Sequence, residues 1–374
     1  MTPRQRYRET LLFGSPDKVP FTPGGPRETT LARWHQEGLP EEIGWDNYLL
    51  EVLGIEEEQT QPYVDLGTSF QMIPKFEEKI LEHKNGHYLI RDWMGAITEI
   101  SDEYDYTYIR QSKDFVTRRW WRFPVTNRDE WEQMKVRYDP HDPRRFPRDF
   151  DERCAKLQNH DYVSGLYING PFWQVREWVG FEALCVLLIE RPDWVHEMMQ
   201  FWTDFVSQTF ARIAKHVSLD FVFVSEDMAY KGHSMISPQM CQEFLLSCWT
   251  RWGKEVKASG CPLFKMDSDG YVGELIPLWI EAGINVESPS EVAAGCDVVQ
   301  FREQYGTQMG YLGGIDKRAI AKGGQVMREE VTYRCSILAE GGYIPGCDHA
   351  VPSDISWPNF VDYARLLAQL TGWL

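Results

Sequence analysis

Apolar runs that stop at acidic residues recur along the second half of the chain. FVFVSED (221–227) closes on Glu226 and Asp227, CPLFKMDSDG (261–270) on Asp267 and Asp269, INVES (284–288) on Glu287, and MGYLGGID (309–316) on Asp316. GGYIPGCDHAV (341–351) carries Cys347, Asp348 and His349. Strands of a parallel sheet are buried on both faces, so they read as continuous apolar runs and turn polar only where they leave the core. Successive run ends lie about 20 to 40 residues apart, the length of one strand plus one helix and its loops. Upstream, VSGLYINGPFW (163–173) adds a strand ending at Asn169, and VPFTPGG (19–25) a first strand broken by Pro23, Gly24 and Gly25. The pattern predicts an α/β fold, a (β/α)8 TIM barrel, with a polar site at one end of its strands.

Between these runs the period changes. Residues 1–18 and the RETTLARWHQEGLP segment read as helices, the second ended by Gly38 and Pro40. Residues 175–217 carry two helices split at Arg191 and Pro192, whose Met, Trp and Phe stripe is core. Ser237 and Pro238 supply an N-cap and first helical residue. From about 60 to 125 the chain alternates with period 2 in YVDLGTSFQMI, KFEEKI, GHYLIRDWMGAITEI, DYTYIRQ and TRRWWRFPV, which predicts an antiparallel β-rich insertion at the barrel mouth. Asp92 and Trp93 of this insertion are candidates for substrate contact; a cross-strand salt bridge and a packed indole are the competing roles. The charged stretch from Asn127 to His160 reads as a solvated helix and loop.

At 374 residues the length alone fits two average domains, but a barrel with an insertion reaches it as one, and residues 1–374 are read as a single domain. A hydrophobic fraction of 43% supports a sizeable core, and no apolar run approaches the ~20 residues of a membrane span. MTPRQRYRETLLFG lacks the apolar segment and cleavage site of a secretory leader, so a cytoplasmic location is expected. The net charge of −17 argues against nucleic-acid partners, which are bound through clustered Lys and Arg. Eight cysteines are dispersed without a CxxC pair. Only Cys347, beside Asp348 and His349, is placed for chemistry.

Several carboxylates at neighbouring strand ends imply a cation, a shared proton or a raised pKa. A metal held by Asp267, Asp269 and Cys347 is one solution, with zinc suited to a mixed carboxylate and thiolate set. Helix capping or a turn is the competing role for the two aspartates. Glu226 and Asp227 are candidates for acid–base work or for holding a cationic substrate, with capping of the following loop and helix as the competing role, and His349 for proton transfer or a structural role. Arg27, near the end of the first strand, is a candidate anion binder.

The segments VPFTPGG with RWHQEGLP, RFPVTNRDEW, SEDMAYKGHSMISP, DSDGYV, YLGGIDKRAI and GGYIPGCDHAVP resemble the uroporphyrinogen decarboxylase superfamily, in the right order over most of the chain. The resemblance implies a (β/α)8 barrel with its site at the C-terminal strand ends. The true decarboxylases open with an arginine-rich segment that FTPGGPRETT lacks, so the resemblance points to the cobalamin-linked methyltransferases. Those bind zinc through an HxC pair and a late cysteine; here Asp267-Ser268-Asp269 and Cys347 occupy these places. It further implies a small methylated substrate and a corrinoid co-substrate. No DxHxxG signature is present, so a corrinoid would be presented by a separate protein or bind transiently. In this reading Glu226, Asp227, Glu287 and His349 orient substrate or move protons, while Arg27, Asp92, Trp93, Asn169 and Asp316 contact substrate. A homodimer is expected by resemblance. The alternatives are a metal-free decarboxylase or lyase, in which Asp267 or Glu226 protonates a carbanion, and a non-enzymatic tetrapyrrole or corrinoid carrier.

Overall fold

A computed structural model describes residues 1–56, 58, 60–107 and 116–374. The chain divides into two compact units, Met1–Tyr63 with Leu157–Tyr167 and Ser218–Leu374, and Val64–Lys156 with Ile168–Val217. The antiparallel strands are β1 (Lys79–Lys84), β2 (His87–Arg91), β3 (Ile97–Ser101) and β4 (Arg118–Arg122). The parallel strands are β5 (Gly165–Asn169), β6 (Phe221–Ser225), β9 (Leu263–Asp267), β10 (Val286–Ser288), β11 (Gly310–Ile315) and β12 (Tyr343–Cys347); a two-residue hairpin, β7 (Ala229–Tyr230) and β8 (His233–Ser234), follows β6.

The six apolar runs become one sheet in the order β12-β11-β10-β9-β6-β5, all of it in the first unit except Ile168 and Asn169 at the end of β5. Its central pairings are parallel, with Ser225, Asp267 and Ser288 level across β6, β9 and β10. Side chains alternate between faces along each strand. One face carries Phe221, Leu263, Val286 and Ile344, packed with Tyr7, Leu11 and Val19. The other carries Ile315 and Cys347, packed against Trp34, Ile320, Met327, Phe360 and Tyr363 of the surrounding helices. Trp34 stacks within 4.6 Å of Phe360 and donates its indole N–H to the Ile355 carbonyl.

VPFTPGG is not a regular strand. It lies beside β12 through a single parallel bridge, Pro26 with Val351, flanked by Cys347 N–H to the Pro23 carbonyl at 3.2 Å and Val351 N–H to the Gly25 carbonyl at 2.8 Å. Pro20, Pro23 and Pro26 have no N–H to donate, which prevents a full ladder. Six strands rather than eight therefore share the parallel sheet among the described residues.

In the second unit the expected β-rich insertion forms the antiparallel sheet β1-β2-β3-β4. Most of DYTYIRQ lies outside the described residues. YVDLGTSFQMI is not a strand, because its backbone is bonded elsewhere. Arg145 donates to the carbonyls of Ser69 at 3.1 Å and Gln71 at 2.7 Å, and to those of Arg137 and Asp139. Arg145 is fully buried, so the charged stretch read as solvated supplies a core ligand for backbone oxygens. Helices Pro171–Val179, Phe181–Glu190 and Pro192–Ala214 follow, the last two breaking at Arg191 as Pro192 requires. Among the described residues no helix is long and apolar enough to cross a membrane.

Candidate functional site

Strand alternation places Asp267 at the end of β9 on the same face as Lys265 and level with Ser225 of β6. Ser225 Oγ donates to Asp267 Oδ2 at 3.0 Å. Burial, reinforced by the charges of Asp269 and Asp227, pushes the Asp267 carboxyl up to about 6, against Ser225 and His349. Asp227 shares this end of the sheet: its N–H points to the Asp267 carbonyl at 3.4 Å, and its φ of 42° is a left-handed conformation that aspartate tolerates.

One turn further out, Asp269 Oδ2 faces His349 Nε2 at 3.1 Å. Ala350 N–H at 2.7 Å and Arg27 Nη2 at 3.4 Å both point at Nδ1, which assigns the ring proton to Nε2 and makes the imidazole donate to Asp269. The acid partner favours the charged ring and raises its pKa; the donors at Nδ1 favour the neutral one. Burial raises Asp269, but His349, Lys317 and Arg27 outweigh it and hold the carboxyl below its ordinary value.

A partly buried ion network holds the loops that carry this pair. Glu291 accepts from Gly270 N–H at 3.1 Å and from Lys317 Nζ at 2.9 Å. Asp348, fully buried, accepts from Val292 N–H at 2.9 Å and Lys317 N–H at 3.2 Å, with Lys317 Nζ at 3.8 Å. Residue 270 must be glycine: its φ is +87°, and a Cβ there would sit 2.4 Å from the Ala229 carbonyl carbon.

The structure thus gathers Asp267, Asp269, Asp227, His349 and Arg27. Other candidates point elsewhere. Glu226 is fully buried and accepts from Trp249 Nε1 at 2.7 Å. Glu287 pairs in register with Met266, on the opposite sheet face from Asp267, where it accepts from the backbone and hydroxyl of Ser290. Burial pushes it up to about 7. Asp316 caps the helix Lys317–Lys322 and forms a two-pronged ion pair with Arg318. Asp92, Trp93 and Asn169 belong to the second unit. Asp92 accepts from Met94 and Ala96 N–H in the β2–β3 turn, Lys75 covers the Trp93 ring, and Asn169 bonds Gln174 and Trp202.

Cys347 also faces away from Asp267. It pairs in register with Ile315, lies in the apolar cluster beside the helices, and is covered by Gly24, where a Cβ would meet its own at 2.9 Å. Burial, aided by Asp348, pushes its thiol up to about 12. Among the described residues no three His, Cys, Asp or Glu side chains converge as a metal-binding set. A Cys347 side chain on the opposite sheet face from Asp267, with the two carboxylates engaged by Ser225 and His349, does not fit a shared zinc.

Lys265 was not singled out from the sequence. It interrupts the apolar run PLFKM two residues before Asp267, and that spacing is the signal for a charge on the same face. Its Nζ bonds Tyr7 Oη at 2.9 Å and lies 4.3 Å from the Phe221 ring centroid and 5.1 Å from that of Phe223. Burial lowers its pKa to about 8, opposed by Asp267.

No family model matches the chain, and no curated protein is similar to it. Among solved structures it is similar to a methyltransferase from Methanosarcina mazei, with a TM-score of 0.59 and 15% identity over 100% of this chain and 98% of that one. A B12-independent methionine synthase from Shewanella sp. W3-18-1, in complex with selenomethionine, matches with a TM-score of 0.40 and 10% identity over 60% of this chain and 65% of that one. The first likeness shows a shared fold; the second is too distant to add to it.

Proposed function

We propose that this chain is a methyl-transfer enzyme that takes a methyl group from a small O- or N-methylated substrate and hands it to a corrinoid presented by a separate protein. The observation that carries the reading is Asp267, a carboxyl held near half-protonation around pH 6 at a strand end beside the Asp269–His349 pair. When the methyl carbon is displaced, its former oxygen or nitrogen keeps the bonding electron pair. A proton given to that atom from Asp267 stabilises it, and this is the acid catalysis the site can supply without a metal. His349, held by Asp269, and Arg27 orient the substrate at the rim. The fold likeness to a methyltransferase supports the reading, as does the sequence resemblance. The reading also includes closure of the parallel sheet into a (β/α)8 barrel and a cytoplasmic homodimer.

The test is anaerobic incubation with reduced free cobalamin and a panel of methoxylated and N-methylated donors, followed by the visible spectrum. Methylation of the cobalamin that survives chelation and is lost in Asp267→Asn supports the proposal. Release of CO2 from a small acid without methyl transfer replaces it with the metal-free decarboxylase reading.

A further inference from the structure

Lys265 is a buried amine that methyl transfer leaves unused. It is 5% exposed, and among the described residues its Nζ makes no ion pair, Asp267 acting on it only as a nearby charge. Among the described residues its Nζ has one hydrogen-bond partner, the Tyr7 hydroxyl, and the rings of Tyr7, Phe221 and Phe223 lie around it. A lysine kept for stability alone is normally paired or reaches solvent with its charged end. This one does neither.

The cover over Lys265 is one ring thick. Tyr167 contacts Phe221 and Phe223 on the side away from Lys265, at 5.4 and 5.1 Å between ring centroids, and is 65% exposed. Solvent therefore reaches the Tyr167 side of the two phenyl rings that cover the amine. Asp267 stands one strand period above on the same face, ~7 Å away along the backbone. A nucleophilic amine in an apolar pocket, with a hydroxyl at one side and a carboxyl above, is the arrangement used for covalent chemistry on carbonyl compounds.

We infer that Lys265 condenses reversibly with a small carbonyl compound, an aldehyde or a 2-oxo acid, to form an iminium on the inner face of the sheet. The Nζ lone pair of the neutral amine forms a bond to the carbonyl carbon while the π electrons move to oxygen; the nitrogen, now cationic, passes one of its protons to that oxygen and regains a lone pair. A second proton, from Asp267 or Tyr7, lets that oxygen leave as water, and the nitrogen lone pair completes the C=N bond. No oxidant, reductant or metal is needed. The inference stands apart from methyl transfer in its nucleophile and its substrate class; Asp267 alone is common to both, as a proton donor.

The experiment uses the full chain with glyoxylate or pyruvate at low millimolar concentration, reduced with sodium borohydride and mapped by peptide mass spectrometry. Borohydride gives hydride to the iminium carbon and fixes a secondary amine. The expected result is one dominant adduct at Lys265, formed at least tenfold faster than at any other lysine. Lys265→Met should abolish it, and Tyr7→Phe, which keeps the ring, should slow it several-fold. Adducts spread over exposed lysines with Lys265 unlabelled overturn the inference, as does a fully labelled protein in Lys265→Met. If Lys265→Met fails to fold, site mapping on the wild type decides alone. The cobalamin assay is read separately, so either proposal can fail without the other.

Discussion

Asp267 and Glu287 sit one register step apart on adjoining strands, and the sheet turns them to opposite faces. Both are buried carboxyls with raised pKa values. Asp267 faces the open end of its unit, shares it with Asp269, Asp227 and His349, and has one hydroxyl donor. Glu287 faces the helices, is fully enclosed, and spends both oxygens on Ser290. Burial alone therefore does not mark a functional acid. What separates them is whether the proton has somewhere to go, and the face of the strand decides that.

The comparison breaks most sharply at Asp267. Asp267→Asn should lower kcat/KM for methyl transfer by ~100-fold or more, the scale of a lost general acid, and wild-type activity should decline as pH rises through about 6. A flat pH profile, or a variant within a few-fold of wild type, removes Asp267 from the chemistry. Glu287→Gln should leave kcat/KM unchanged and act on stability. Folding raises this carboxyl from 4.5 to about 7, so its contribution is complete below pH 4.5 and is lost as pH climbs through 7, a change of ~3 kcal/mol. Between pH 5 and pH 8 denaturant titrations should show a clearly smaller fall in stability in Glu287→Gln than in wild type, the remainder coming from Asp267; equal falls in both put the proton elsewhere.

Smaller effects sharpen the same contrast. Trp249→Phe deprives buried Glu226 of its indole donor and should cost about 1–3 kcal/mol of stability with catalysis intact at saturating substrate; an activity loss beyond tenfold would return Glu226 to the site. Cys347→Ala removes one buried thiol from an apolar cluster and should cost ~1 kcal/mol. Elemental analysis should find the same metal content in wild type and Cys347→Ala. Stoichiometric zinc that disappears in the variant would overturn the metal-free chemistry proposed for Asp267.

Much of this was legible in the sequence and some was not. All six runs read as strands between Val163 and Val351 are strands, because short, mostly apolar stretches closed by polar residues favour buried parallel strands. Which face each end residue takes was not legible, since that depends on register with a neighbour. Asp267 and Cys347 look equivalent as strand ends. Only pairing with Ser225 on one side and Ile315 on the other shows them facing apart. Arg145 lay hidden for a different reason: its partners are carbonyls, which no residue type advertises. Lys265 was readable by counting two back from Asp267.

The ion network around Lys317 has a consequence for how such a site can change over evolutionary time. Asp267 is fixed by the strand backbone and Ser225, whereas Asp269 and His349 ride on loops tied together through Glu291, Lys317 and Asp348. The floor and the rim are thus inherited as separable parts. A lineage that exchanged the rim loops would acquire a new substrate while keeping its proton donor, and one that lost Lys317 would loosen the rim without touching the floor.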